Sequence, residues 1–202
     1  MTSLAIARLY QHSFSTHPNF TLALTGGSLN AFGDYIAQLC QNTLARKGHE
    51  EVRPYDILRT VRFFCFGCMI SPFIGRWNTF LEHRFPLRTI QTSKKVSIRA
   101  LSKRVACDQM VMAPIGLGAF IGSIGLMEGR GPEQIKEKFD DLFVPVLLTN
   151  WKIWPLAQLI NFRYMPLPYR VLFQSTCGVF WTLYLSIINS REDEKLDKHQ
   201  QP

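Results

Sequence analysis

The 202-residue sequence is short of charge: 19% of its residues are Asp, Glu, Lys or Arg, against 47% apolar. Too much apolar surface is present for a disordered chain, which stays unfolded because it has little to bury. Cysteine is scarce too, and five in 202 residues exclude a disulfide-stapled scaffold. Catalytic signatures are missing: there is no P-loop, G-x-G-x-x-G, G-x-S-x-G or H-E-x-x-H. His12, His17, His49, His83 and His199 are scattered, and none lies in an apolar stretch. Cys65 and Cys68 form a lone C-x-x-C in an apolar run, where buried free thiols are ordinary. No enzyme and no cofactor are expected. Acids are nearly absent from residues 76–104, where Arg76, Arg84, Arg88, Lys94, Lys95, Arg99, Lys103 and Arg104 face Glu82 alone, +7 of the net +8. No aromatic platform accompanies these charges, so nucleic acid is not an expected partner. One strongly basic loop between apolar segments is the pattern of a membrane protein.

A bilayer-spanning helix needs about 20 mostly apolar residues. Five stretches approach that length: 20–40, 57–75, 105–127, 142–162 and 167–189. Tyr10, Trp77, Trp151, Trp181 and Tyr184 lie near segment ends, where amphipathic rings favour the headgroup level. The expected fold is all-α, a multi-pass transmembrane bundle with four firm spans and a doubtful fifth at 142–162. That segment holds Lys152, Pro145 and Pro155, and only Arg163 to Pro166 separate it from the last stretch. A tight helical hairpin and a partly re-entrant element both fit. The chain divides into an N-terminal segment 1–19 with weak mitochondrial-type targeting character (Arg8, no acid), a membrane domain 20–189, and a polar, mobile tail 190–202.

Small residues fall at helical spacing: Gly26, Asn30, Gly33 and Ala37 in the first stretch, and Gly118, Gly122, Gly125 and Gly129 in the third. In water each helical Gly costs about 1 kcal/mol relative to Ala, whereas in lipid small stripes let backbones approach and pack. The same stripes could leave room for a central passage. Pro72, Pro114, Pro145 and Pro155 predict kinked helices, tolerated in membranes when neighbours satisfy the freed carbonyls.

Ionisable groups within or at the rim of the apolar stretches are Asp34, Arg59, Arg62, Asp108, Lys152 and Arg170, two acids against four bases. A charge at the bilayer centre costs about 2.5–3.5 kcal/mol even on gentle scales, so such groups pair or line a wet cavity. Asp34 and Asp108 are each expected to pair with Arg59, Arg62 or Arg170. Gln38, Gln109, Gln158 and Asn161 add hydrogen-bonding capacity to this candidate polar network or pore. In the basic loop, Ile98, Leu101 and Val105 fall on one side of a short helix and Lys95, Arg99 and Lys103 on another. Residues 88–104 thus fit a contact with anionic lipid. The expected partners are the bilayer and small metabolites or ions, with a homo-oligomer left open.

Residues 150–186 resemble the C-terminal signature of the Mpv17/PMP22 family: Asn150-Trp151-x-x-Trp154-Pro155, Gln158, Asn161-Phe162, Pro166, Tyr169-Arg170 and Trp181-x-x-Tyr184-Leu185-Ser186. Gly33-Asp34 with Gln38, Asp56 with Arg59 and Arg62, Pro72 with Trp77, and Asp108-Gln109 with Pro114 resemble its upstream patterns. The sequence departs from the family at Thr182, at Asn78 and at Leu9-Tyr10, where Asn, an aromatic and Trp are usual. The resemblance, which extends to fungal-type members, implies a small multi-helix protein of organelle membranes. The mitochondrial inner membrane is the expected location and the peroxisomal membrane the alternative. It also implies a weakly selective channel for small metabolites, with a non-conducting scaffold or assembly factor as the alternative.

Overall fold

The computed structural model describes residues 2–48, 52, 54–87 and 97–200; side chains of residues 2–4, 6, 47, 48 and 185–200 are outside the description. Arg88, Lys94 and Lys95 of the basic loop, and His49, therefore lie outside the described residues. Every regular element described is helical: α1 (Thr2–Thr16), α2 (Pro18–Gly48), α3 (Ile57–Arg84), α4 (Ile98–Cys107), a π-helical segment (Asp108–Met112), α5 (Ala113–Met127), α6 (Pro132–Tyr164) and α7 (Leu167–Gln200). The all-helical expectation holds.

Local chemistry sets these boundaries. Asp56 caps α3 by accepting a hydrogen bond from the Arg59 N–H at 2.9 Å, and His83 and Arg84 in the last turn complement the helix dipole. Ser97 caps α4 through the Ala100 N–H at 3.3 Å. Pro114 lacks an N–H and crowds the carbonyl one turn before it. The helix widens just upstream, where the Ala113 N–H reaches back five residues to the Asp108 carbonyl. Gly129, at φ +73°, ends α5 in the left-handed region that favours glycine. Beside it, partial burial pushes the Glu128 carboxyl up, but Arg130 and Lys138 outweigh that and hold it below the usual range.

Helix α3 is central. It packs on α2, α5 and α7, while α2 also packs on α7 and α6 covers α4 and α5. The N-terminal segment is helical and docked: Tyr10 stacks on Tyr169 at 5.5 Å and donates from its hydroxyl to the Pro168 carbonyl at 2.8 Å. Burial first, then neighbouring Tyr169, push the Tyr10 phenol above its ordinary value, which keeps that donor protonated. Residues 142–166 take the helical-hairpin form, one of the two expectations for them. Helix α6 runs unbroken through Pro145 and Pro155 and turns into α7 over Met165 and Pro166. The tail, expected to be mobile, continues α7 as helix to Gln200.

Two of the five stretches lie in helices long and apolar enough by composition to cross a bilayer: Ile57–Arg84 and the continuous run Ile98–Met127. In α2, α6 and α7 polar residues such as Asn30, Asp34, Asn150, Lys152 and Gln174 dilute the apolar content. Polar and charged residues share the interior with apolar ones such as Phe66, Leu81, Ile121 and Phe162, a larger polar share than in a protein that folds in water. Buried positions include Asp34, Gln38, Ser71, Asn78, Arg104, Asp108, Gln109, Gln158, Asn161 and Arg170. Large apolar side chains such as Phe32, Phe73, Phe80, Ile115, Leu126, Leu156 and Phe180 are exposed.

The glycines divide by role. A Cβ on Gly67 would come within 2.7 Å of the Gly26 carbonyl oxygen, and one on Gly26 would collide with Ser71. Close backbone approach therefore fills the first small-residue stripe, and no passage opens there. In the second stripe a Cβ on Gly125 would press Ile135 at 2.9 Å, whereas Gly122 faces open space. Gly67→Ala should lower the thermal unfolding midpoint of the detergent-purified protein, since relieving such a clash costs about 1–3 kcal/mol. Gly122→Ala should leave the midpoint unchanged or raise it through helix propensity. Equal effects at both positions would contradict this packing.

Candidate functional site

The inward face of α3 is a line of small and polar residues interrupted by Phe64. Thr60, Phe64, Gly67, Ser71, Gly75, Asn78 and Glu82 recur at three- and four-residue intervals, so one helical stripe holds them. From Thr60 to Glu82 the stripe rises about 33 Å at 1.5 Å per residue, close to the hydrocarbon thickness of a bilayer. Three polar clusters from other helices meet it or its neighbours.

The first lies at the N-terminal end. Asp34 of α2 is fully buried and accepts from the Thr60 hydroxyl at 2.7 Å and from Gln38 Nε2 at 2.8 Å. Arg59 Nε sits 2.7 Å from Asp34 Oδ1, an ion pair whose N–H is turned off the ideal hydrogen-bond direction. Gln38 in turn accepts from the Asp56 N–H at 2.8 Å and donates to its carbonyl at 3.0 Å. The helix start that Asp56 caps is thereby tied to α2. Asp34, Gln38 and Arg59 thus come together as the sequence predicts. Arg62 is half-buried one turn along and makes no ion pair or hydrogen bond among the described residues.

The second cluster surrounds Asp108 on the π-helical segment, and here the pairing expectation is corrected. No cation reaches Asp108 among the described residues. Its carboxylate accepts from Trp77 Nε1 at 3.0 Å, Gln109 Nε2 at 3.0 Å and Gln158 Nε2 at 2.7 Å. Asn161, fully buried, donates to Gln158 Oε1 at 3.0 Å. Trp151 Nε1 donates to the Gln109 carbonyl at 3.0 Å. The arginines are committed elsewhere: Arg59 at the opposite end of α3 and Arg170 to Glu82. Neutral donors from three directions stand where the expected cation would.

The third cluster lies at the C-terminal end of α3. Arg170 of α7 places Nη1 2.6 Å from Glu82 Oε2, donates from Nε to the Met165 carbonyl at 3.2 Å and lies over the Phe162 ring. Arg104 of α4, 1% exposed, donates from Nε to the Phe85 carbonyl at 2.7 Å. Between the clusters Asn78 Nδ2 donates to Gln174 Oε1 of α7 at 2.9 Å. Lys152, named with the candidate set, is exposed on α6 and joins none of these clusters.

Sequence reasoning missed Thr60, Glu82, Arg104 and Gln174 as interior groups. Arg104 was counted with the basic loop, yet Leu101, Arg104 and Asp108 stand at i, i+3 and i+7, the spacing of one buried face. The expected apolar side of α4 is likewise corrected. Leu101 is buried, but Ile98 is 71% exposed, because α4 turns its Leu101–Arg104–Asp108 face inward.

Inward-turned charges, an apolar exterior and two helices of spanning length mark an all-helical membrane protein. Comparison with known sequences makes this specific. The Mpv17/PMP22 family signature matches residues 125–186. Protein SYM1 of Saccharomyces cerevisiae is 36% identical, covering 98% of both chains. Protein SYM1 of Gibberella zeae is 35% identical over 91% of this chain and 97% of its own, and protein sym1 of Schizosaccharomyces pombe 35% over 91% of each. No solved structure matches. The chain belongs to the Mpv17/PMP22 family and is similar to its SYM1 proteins along nearly its whole length.

Arg59→Gln leaves Asp34 buried without its cation and should cost about 2 kcal/mol or more, Arg59 being partly exposed. Adding Asp34→Asn should recover part of the loss. A double-mutant cycle read by thermal unfolding measures the coupling, and strictly additive effects would contradict the pair.

Proposed function

We propose that this protein is a multi-pass organelle-membrane channel of weak selectivity for small, preferentially anionic metabolites. The observation that supports this reading is the polar stripe of α3. It is as long as the hydrocarbon layer is thick and turned away from the apolar exterior. Its N-terminal end carries a neutralised pair, Asp34 with Arg59. Its C-terminal end carries Arg104 and Arg170 against Glu82, a net positive mouth that draws anions. The narrow point is the backbone contact of Gly26 with Gly67 and Ser71, so the arrangement corresponds to a closed state, with opening a separation of α2 from α3. In this reading α2, α6 and α7 cross the bilayer together with the two more apolar helices. The polar residues that dilute them face the interior. The mitochondrial inner membrane is the proposed location, in keeping with the acid-poor start of the chain.

One observation favours a second reading, a non-conducting scaffold. The Asp34 and Asp108 clusters are closed by their own hydrogen bonds, and the waist is packed backbone to backbone. Buried polar groups of this kind also serve as glue between membrane helices.

Purified protein in planar bilayers separates the two. The channel reading expects stepwise conductance with anions preferred over cations. The double substitution Asn78→Leu with Gln174→Leu should cut that conductance while circular dichroism stays unchanged. Silent bilayers containing folded protein would favour the scaffold. For location, subcellular fractionation with protease protection of tagged termini should recover the chain in the mitochondrial inner membrane; recovery with peroxisomes would contradict that placement.

A further inference from the structure

The C-terminal end of the α3 stripe opens into a cleft of roughly 450 Å³, within the size range of small-ligand sites. Glu82, Leu87, Arg104, Phe162, Arg163 and Arg170 are among its walls. Three arginines and one glutamate thus line it, and Arg170 pairs with that glutamate. Two of the arginines are built into the fold. Arg104 is 1% exposed and Arg170 4% exposed. Backbone carbonyls at the ends of α3 and α6 satisfy Nε of each, Phe85 for Arg104 and Met165 for Arg170. Arg104 Nη2 reaches the Glu82 carbonyl only at 3.5 Å, and Arg104 Nη1 is buried with no partner among the described residues. Leaving such a charged donor unmet is costly, and proteins rarely do so without an occupant in view.

We propose that this cleft binds a phosphate group, with Arg104 and Arg170 as its two ligands and Glu82 as an internal stand-in that the phosphate displaces. The chemistry selects phosphate over a simple carboxylate. A phosphomonoester carries about −1.5 to −2 charge at neutral pH and offers three acceptor oxygens. It therefore neutralises the surplus that Glu82 leaves and gives the idle Nη1 an acceptor. Planar guanidinium forks match phosphate oxygens in pairs. Glu82 is displaceable because its side chain is 42% exposed and can turn to solvent. The phosphate can belong to a lipid headgroup, since the cleft lies at the end of a spanning helix, or to a free phosphomonoester. The site depends only on the contacts at this end of the stripe and stands whether or not the protein conducts.

Thermal unfolding of the purified full-length protein in a zwitterionic detergent tests this. The probes are inorganic phosphate, glycerol phosphate and short-chain phosphatidic acid, each against chloride at matched ionic strength and against phosphatidylcholine. A bound anion raises the midpoint by mass action. At least one phosphate-bearing probe should do so beyond its control. Phosphatidic acid alone would assign the site to a lipid headgroup; inorganic phosphate or glycerol phosphate as well would assign it to free phosphate compounds. Glu82→Gln should lower the concentration needed for half the effect by about tenfold, because the internal competitor is gone. Arg104→Gln should abolish the response. If that variant does not fold, Arg104→Lys, which keeps charge but loses the fork, should weaken the response and serves in its place. No probe exceeding its control, or a Glu82→Gln variant that responds more weakly than the parent, would overturn the proposal.

Discussion

A charged side chain enclosed by helices whose outer faces are apolar must be met by another helix, and that constraint organises this molecule. Asp34 is met in the interior by Arg59 and Thr60 of α3, and Gln38 completes the set. Asp108 is met by donors from its own helix, α3 and α6. Glu82 is met by Arg170. Each contact costs little when made and much when broken, since the alternative is an unmatched charge away from water. The helix arrangement follows: α2 lies along α3, α5 and α7 also pack on it, and side chains of the π-helical segment and of α4 reach its C-terminal part.

The same constraint explains the small residues. Donors and acceptors meet across helices only if the backbones come close, and the Gly26–Gly67–Ser71 contact provides that approach midway along the stripe. The polar line and the glycine waist are thus one feature. A member of the Mpv17/PMP22 family built this way has hydrogen-bonded polar clusters toward both ends of α3, backbone-close packing at its centre, and its most positive interior at the C-terminal end.

Much of this was legible from residue types alone. Asp34, Gln38 and Arg59 were singled out because polar groups in apolar runs are costly, and the structure brings them together. Asp108, Gln109, Gln158 and Asn161 were found by the same logic and also assemble, though around neutral donors. That difference was not legible, because choosing among arginines needs the helix order in space, and Arg59 and Asp108 lie at different levels of α3. Arg104 was hidden by its neighbourhood: among Arg99, Lys103 and Lys94 it reads as one more loop charge, and only its register with Leu101 and Asp108 separates it. Glu82 was hidden in the same way, as a lone acid in a basic stretch. The hairpin between α6 and α7 was one of two readings, because Pro145 and Pro155 predict an interruption that the unbroken helix does not show.

Accessibility mapping along α3 tests the central claim most directly. Single nitroxide labels at each position from 57 to 84, in lipid-reconstituted protein, are exposed in turn to oxygen, which partitions into lipid, and to a water-soluble relaxation agent. The account predicts a helical period, with oxygen contact highest at Met69, Phe73 and Phe80 and lowest at Gly67, Ser71 and Asn78. Oxygen contact peaking at Ser71 and Asn78 instead, or water contact uniform around the helix, would contradict it.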